Sequence, residues 1–317
     1  MGMINEPPIG VLLMAYGSPD SLDEIEPYLL DIRGGRATPQ HLVAEVRSRY
    51  AQIGGRSPLL DLTRAQADAL EQQLNQRAGS RSYRVYVGMR HWQPRLKTTV
   101  AQMASDGIQQ AVALVMAPHS SQMSTGAYFA NLNGALQATD ASIDFVRIES
   151  WHSHPALIAA LAEHTRAAIA AKFSQPPYII FTAHSLPVRI LENGDPYADQ
   201  LYETAALVAK ELNLDAEQWC FSFQSAGASE EQWLGPPIEA TIKRLAAEGR
   251  RELLVVPVGF LCDHVEILYD IDIAARQLAE SLDVHLERSA SLNDDPQFIQ
   301  GLADLVQSAA HSQLAIS

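Results

Sequence analysis

Short apolar runs alternate with longer amphipathic stretches along the whole chain, and this alternation limits the folds that it can adopt. The apolar runs predict strands at 9–17, 83–89, 111–118, 145–150, 178–184, 219–225 and 253–260. The stretches between them predict helices at 21–31, 39–51, 61–77, 94–106, 126–138, 155–173, 196–212, 236–248, 264–281 and 296–309. The strands are apolar throughout, so both of their faces should be buried. The sequence therefore predicts an α/β fold with doubly wound parallel sheets covered by helices.

A weak internal similarity indicates two halves. The segments GVLLMAYGSP at 10–19 and YIIFTAHSLP at 178–187 both end in a ring, a small or apolar pair and a proline. We predict two similar Rossmann-like lobes at 1–150 and 151–317, with the last helix, about 296–309, as the candidate to pack back on the first lobe. Strand ends from both lobes would then line the cleft between them, at Tyr16, His119, His184 and His264.

Chemically active side chains follow two of the predicted strands. His184 stands where YIIFTAH ends, and Glu266, 82 residues further on, follows the strand LLVVPVGF. Ligands of open α/β sheets bind just beyond the carboxyl ends of the strands, so an imidazole and a carboxylate would face one crevice. A neutral imidazole is both a proton acceptor and a metal ligand. The alternative is that His184 is a structural hydrogen-bonding residue.

The segment around Glu266 is rich in carboxylates. Asp263, Glu266, Asp270 and Asp272 follow roughly helical spacing, and Asp263 is expected to cap the helix. Such a stripe would suit a path for a hard cation leading to a deeper site. The alternative is a solvated helix face. His152 and His154 form a His-x-His pair that could bind a metal, but a loop before a helix is expected there. His119, at a strand end, is expected to have a structural role.

One basic window interrupts an acidic chain. The net charge of −14 argues against nucleic acid as a partner. Residues 33–56 nevertheless carry several arginines against a single acid, Glu45; they are Arg33, Arg36, Arg47, Arg49 and Arg56. Arginines beside glycines suit bidentate capture of an anionic ligand. The alternative is a solvated helix face flanked by turns.

Several classes of protein lack their sequence signals here. No apolar run reaches the roughly 18 residues of a membrane span, and the first residues lack the basic region of a secretory signal, so a cytoplasmic enzyme is expected. Neither Cys220 nor Cys262 lies in a C-x-x-C motif, so we expect no zinc or iron–sulfur site built on cysteines. There is no G-x-S-x-G, P-loop or G-x-G-x-x-G motif.

Motifs in order along nearly the whole chain resemble those of the ferrochelatases, and more closely the coproporphyrin form of many Gram-positive bacteria. They are VLLMAYGSP, YLLDIRGGR, RYAQIGGRSPL, GMRHWQP, VALVMAPHSS, ESWHSHP, TAHSLP, GDPYADQL, FQSAG with WLGPP, and VPVGFLCDHVEILYDID. The resemblance implies two Rossmann-like lobes with a porphyrin cleft between them. It implies that His184 and Glu266 handle the metal and the protons, and that Tyr16 approaches the metal from the other face. It also places the remaining porphyrin-binding candidates near the ring or its propionates, namely Arg33, Arg36, Arg49, Ser57 and Tyr128.

The chain departs from the family pattern at two places. Gly34 stands where close relatives carry a second arginine, and Ala274 stands where some relatives carry an acid. The first departure removes one arginine contact, and the second puts in doubt an outer metal site that uses this position.

The resemblance implies a function in haem biosynthesis. We expect insertion of Fe²⁺ into coproporphyrin III to give coproheme, with Fe²⁺ as substrate, no prosthetic group and no iron–sulfur cluster. The alternatives are a protoporphyrin IX ferrochelatase, a chelatase for another metal or tetrapyrrole such as cobalt with sirohydrochlorin, and a non-enzymatic haem-binding handover protein. We expect a monomer with transient contacts to haem-pathway enzymes and no integral membrane contact.

Overall fold

The computed structural model describes residues 7–77, 79, 81–227 and 231–314, and it contains two four-stranded parallel sheets. In the first sheet the order is β2-β1-β3-β4, with the bounds β1 Ile9–Ala15, β2 Tyr83–Met89, β3 Gln110–Val115 and β4 Asp144–Ile148. In the second the order is β6-β5-β7-β8, with the bounds β5 Tyr178–His184, β6 Trp219–Gln224, β7 Glu252–Val256 and β8 His285–Arg288. The predicted α/β class with parallel sheets is confirmed. The first six residues, on which the expectation about a secretory signal rests, lie outside the described residues.

Helices flank both sheets. Those of the first half are α1 Ile25–Ile32, preceded by a 3₁₀ turn at Leu22–Glu24, α2 Gln40–Gln52, α3 Leu59–Gln76, α4 Leu96–Ser105 and α5 Thr125–Thr139. Those of the second half are α6 Pro155–Lys172, α7 Arg189–Glu192, α8 Tyr197–Glu211, a 3₁₀ turn at Ala216–Gln218, α9 Ile238–Ala247, α10 Val265–Leu268, a π-helix at Asp270–Ala275, α11 Arg276–Glu280 and α12 Pro296–Gln313.

Three features of the second half differ from the sequence prediction. The single helix predicted at 264–281 is divided into α10, the π-helix and α11, because the i to i+4 ladder gives way to a wider turn after Tyr269. Strand β8 and the short helix α7 were not predicted. Strand β8 reads HLER and lies at the edge of its sheet, where only Leu286 is fully buried, so it carries no apolar run.

The core is continuous between the two sheets. One cluster of buried side chains includes Leu13 of β1, Phe181 of β5 and Phe298 of α12. Helix α12 contacts α3 and β4 of the first half as well as α6, and the ring of Phe298 stacks on Trp151 with centroids 6.2 Å apart. The division of the chain at residue 150 stays a prediction.

The carboxyl ends of the central strands bring the two halves to one crevice. The segment after β7 passes close to the end of β5, and Gly259 makes this approach possible, because a Cβ there would lie 2.5 Å from the Cβ of Ala183. The Gly259 amide donates to the Thr182 carbonyl oxygen at 3.2 Å. This contact fixes the loop that carries residues 260–264 beside His184.

Within the described ranges, no helix is long and apolar enough to cross a bilayer.

Candidate active site

A cavity of about 340 Å³ lies between the two halves. His119 and His264, predicted at the cleft from their strand ends, line it, as do five of the eight residues that the resemblance implies for the site, namely Tyr16, Ser57, Tyr128, His184 and Glu266. Each of these five comes from a different element or loop. Tyr16 follows β1, His184 ends β5, and Glu266 lies just after the loop that follows β7. The position matches the rule that ligands bind at this edge of α/β sheets.

His184 and Glu266 face each other in this cavity. The His184 Nε2 lies 3.5 Å from the Glu266 Oε1, and the Nε2 of His264 lies 3.5 Å from the Glu266 Oε2. The Nδ1 atoms of the two histidines contact backbone carbonyl oxygens, that of Ser185 for His184 and that of Cys262 for His264. A carbonyl oxygen only accepts, so each Nδ1 carries the proton and donates it. Both Nε2 atoms are thereby directed at the carboxylate.

The two histidines determine the charge of the carboxylate. Burial alone would raise the pKa of Glu266, but His184 and His264 outweigh it and hold this pKa at about 2. Burial would likewise lower the pKa of His264, but Glu266 raises it above its usual value. Glu266 is therefore an anion at neutral pH and supplies a fixed negative charge to the cavity.

Tyrosines form much of the opposite wall. Tyr16 is 42% exposed, and the surface that it exposes belongs to the cavity. Its ring lies 4.7 Å from that of His91. Desolvation, and then the charge of Glu266, raise the pKa of Tyr16 to about 12, so its hydroxyl keeps its proton. Burial also raises the pKa of Tyr128, whose ring lies 5.5 Å from the guanidinium carbon of Arg90.

Ser57 is buried at the same cavity, with 3% of its surface exposed. Its hydroxyl oxygen accepts from the amide of Leu59 at 3.3 Å, at the start of α3.

None of the arginines of the 33–56 window is among the residues that line the cavity. Arg49 is paired with Glu45 at 2.6 Å, and its Nη1 lies 3.7 Å from the Oδ1 of Asp270 in the π-helix. It thus links α2 of the first half to the second half, one residue before Tyr50, which does line the cavity. Arg33 follows α1, and its carbonyl oxygen accepts from the Nε of Arg36 at 3.1 Å.

The carboxylates around Glu266 do not form one stripe. The prediction that Asp263 caps α10 is wrong. His264 holds the N-cap position, and the Asp263 carboxylate instead accepts a hydrogen bond from the Ser291 hydroxyl at 2.7 Å. Arg288 holds Asp263 at 3.2 Å and Asp272 at 2.7 Å, so both turn away from Glu266. Asp270 stays on the side of Glu266, and burial, with a further contribution from Glu266, raises its pKa to about 6. Across the described residues, no three His, Cys, Asp or Glu side chains gather to hold a metal ion.

His119 shows the features of a structural histidine at the cavity wall. It is 2% exposed, and its Nε2 lies 2.9 Å from the Oγ1 of Thr204. Burial, followed by the nearby His152, lowers the pKa of His119 to about 3. His152 itself contacts Glu203 at 2.9 Å at the surface. His119 thus connects the loop after β3 to α8, and His152 connects the loop after β4 to the same helix.

A model of the family described as Ferrochelatase matches residues 8–310. The chain belongs to the ferrochelatase family. It is 45% identical to a ferrochelatase of Deinococcus radiodurans over 312 aligned residues, and the alignment covers 97% of this chain and 98% of that protein. It is also 36% identical over 310 residues to a coproporphyrin III ferrochelatase of Oceanobacillus iheyensis, with 96% and 98% covered. Among solved structures, SirB from Bacillus subtilis with Fe³⁺ has a TM-score of 0.61 at 9% identity, with 96% and 98% covered, which shows a shared fold.

The cavity of this ferrochelatase includes residues that the sequence reasoning did not single out. Arg90 follows β2 directly, as Tyr16 follows β1, so the same strand-end rule would have found it. Tyr28 and Tyr50 also line the cavity, from α1 and α2. Helical aromatic residues look like core residues in a sequence, and nothing in their spacing distinguishes these two.

The arginines of the 33–56 window are predicted to bind propionates at the mouth of the cavity. Each charge-assisted contact contributes roughly 1.5–3 kcal/mol, so alanine at Arg33, Arg36 or Arg49 should raise the KM for porphyrin about tenfold or more. Steady-state kinetics of iron insertion measure this. The control is Arg244→Ala, which removes a surface pair with Glu248 of the same i,i+4 kind as that of Arg49 with Glu45. Unaltered KM in all three variants would leave these arginines as a solvated surface.

Proposed function

We propose that this ferrochelatase inserts Fe²⁺ into coproporphyrin III and releases coproheme. The observation that carries the proposal is the pairing of His184 with Glu266 at 3.5 Å, across a cavity that Tyr16 lines from the other half. The family assignment gives the reaction, and this arrangement gives candidate residues for its proton and metal steps.

The reaction exchanges two protons for one metal ion. Two pyrrole N–H bonds break, their electron pairs bind Fe²⁺, and two protons leave for solvent. We assign the proton-accepting step to His184, whose Nδ1–H donates to the Ser185 carbonyl oxygen and whose Nε2, 3.5 Å from Glu266, is then the nitrogen that accepts a proton. A base in this position lowers the barrier because the pyrrole nitrogens must be deprotonated as the metal enters.

Glu266 has a different part in this proposal. With a pKa of about 2 it does not hold a proton at neutral pH. Its charge instead stabilises the imidazolium that forms on His184 and attracts the incoming Fe²⁺ toward the ring nitrogens. His264 keeps the carboxylate oriented from its other oxygen.

The choice of porphyrin is a matter of peripheral charge. Coproporphyrin III carries a propionate on each of its four pyrrole rings, whereas protoporphyrin IX carries propionates on only two. Relatives described as coproporphyrin III ferrochelatases are 36% to 38% identical to this chain. Arg33, Arg36 and Arg49 follow or lie on helices that border the cavity. We therefore propose that a four-carboxylate porphyrin is the better substrate.

The kcat/KM for coproporphyrin III is expected to exceed that for protoporphyrin IX at least about tenfold, since one extra propionate contact supplies the required difference of about 1.4 kcal/mol. Both substrates are compared in detergent, which keeps them monomeric, by the decay of free-porphyrin fluorescence after Fe²⁺ is added. Equal values or the reverse order would assign the chain to protoporphyrin IX and leave the chelatase reaction in place.

The same assay tests the remaining alternatives. Co²⁺ with sirohydrochlorin as the fastest pair would indicate the other chelatase class. Tight porphyrin binding without any fluorescence decay would indicate a handover protein. We also propose that Fe²⁺ is a substrate and that the chain carries no prosthetic group; a cytoplasmic location and a monomeric state stay expectations from the sequence.

A further inference from the structure

A second cavity, of about 440 Å³, lies on the first half between α4 and α5. Three of the side chains that line it are cationic, namely Arg90, Arg95 and Lys97. The remaining lining residues are Leu96, Ala130, Asn131, Gly134 and Ala135, so none of the described residues that line it is an acid. In a chain with a net charge of −14, a cavity whose charged lining residues are all cations favours an anion.

Two of the three cations lack a counter-charge. Arg95 pairs with Asp31 at 2.9 Å. Within the described part of the chain, neither Arg90 nor Lys97 comes within ion-pair distance of a carboxylate, and the buried Nε of Arg90 has no hydrogen-bond partner. The positive charges of Arg90 and Lys97 are therefore available to an anion that enters the cavity.

The floor of this second cavity is made of small residues. Ala130, Gly134 and Ala135 come from one face of α5, and a Cβ at Gly134 would have nothing within 4 Å. The amide of Asn131 is held by a donation to the Ala127 carbonyl oxygen at 2.8 Å. The floor therefore leaves room for a small planar group to approach the cations.

Arg90 connects the second cavity to the first, because it lines both. Asp31 provides a second connection. It pairs with Arg95 and also with the Nδ1 of His91 at 3.0 Å, and the ring of His91 contacts that of Tyr16 at 4.7 Å. A ligand in the main cavity is thus separated from the second cavity by one guanidinium.

We propose that the second cavity binds a peripheral carboxylate of the porphyrin, on a side of the ring that the arginines of the 33–56 window do not serve. This inference rests on the proposed function. The two propionates of protoporphyrin IX lie on adjacent pyrrole rings and extend from one edge. A substrate with carboxylates on all four rings extends one toward Arg90, Arg95 and Lys97 as well. The second cavity then selects for substrates with four carboxylates.

Lys97 offers the cleanest test, because it is exposed and forms no ion pair with a described residue. Lys97→Gln should raise the KM for coproporphyrin III about fivefold and leave kcat unchanged, and Lys97→Glu should raise it further. The KM for protoporphyrin IX should not change with Lys97→Gln. The controls are Lys243→Gln and Lys243→Glu, which make the same charge changes on the exposed face of α9.

Each outcome decides the proposal. A loss of discrimination confined to the Lys97 variants supports it. Equal changes for both porphyrins would indicate general electrostatic attraction and overturn it, as would unchanged KM values. An effect that appears only with added inorganic phosphate would assign the cavity to a free anion instead. A wild-type chain that metallates neither porphyrin would refute the proposed function itself, which is a separate result.

Discussion

The His184→Ala variant is expected to insert iron at least about 100-fold more slowly than the wild type, because it lacks the base proposed to accept the pyrrole protons. The side chain makes one backbone contact, to the Ser185 carbonyl oxygen, and faces Glu266 across the cavity. Its removal should therefore leave the core of β5 intact. Turnover is measured by loss of porphyrin fluorescence, and porphyrin affinity by quenching of tryptophan emission.

A surface pair provides the matched control for this variant. His285 of β8 contacts Glu252 at 2.6 Å, outside the cavity, so His285→Ala also removes an imidazole from a carboxylate. It should keep normal turnover. Near-normal turnover in His184→Ala, with unchanged porphyrin affinity, would refute the assignment of His184 as the base.

The Glu266→Gln variant is expected to lose most of its turnover while it keeps its affinity for porphyrin. The substitution preserves the shape of the side chain and removes the charge that the two histidines hold in place. Without that charge, an imidazolium on His184 is no longer stabilised and Fe²⁺ is no longer attracted, so kcat should fall on the order of 100-fold. The KM for Fe²⁺ should rise as well.

Glu252→Gln is the control, since it alters the carboxylate of the surface pair with His285. A Glu266→Gln variant with unchanged turnover and a lower melting temperature would indicate that Glu266 only stabilises its helix. Thermal unfolding of both variants separates these two outcomes.

The central strands could be predicted from the sequence because they are buried on both faces. The central strand β5 has the bounds that its apolar run predicts, and every residue of β1 is buried. Strand β2 lies at the edge of its sheet and is partly exposed, but its apolar run is long enough to predict its bounds as well. The segment after His264 was harder to predict. Its apolar spacing is helical throughout, and only the hydrogen bonds of the backbone determine that a π-helix interrupts it at Asp270–Ala275. Strand β8 escaped prediction because its four residues, HLER, include one buried apolar side chain and no apolar run.

The site residues at strand ends could be predicted from the sequence. Those whose position depends on a pairing side chain from elsewhere in the chain could not. His184 and Glu266 meet because two parallel strands deliver them to one edge. Asp263 was expected to cap α10, but Arg288 on the unpredicted β8 pairs with it instead. The second cavity could not be foreseen, since α4 and α5 are separate in sequence and only their packing brings Lys97 near Gly134.

The continuous core has a consequence for how variation in this ferrochelatase would act. Leu13, Phe181 and Phe298 belong to one buried cluster that lies beneath both sheets. The strands that carry the two walls of the cavity therefore pack against the same core, and a change in that core affects both walls. A change in side-chain volume at Phe298, far along the chain from either strand, would be transmitted to the spacing between the walls. Substitutions in the core that never contact the ligand could then change which substrates the cavity accepts.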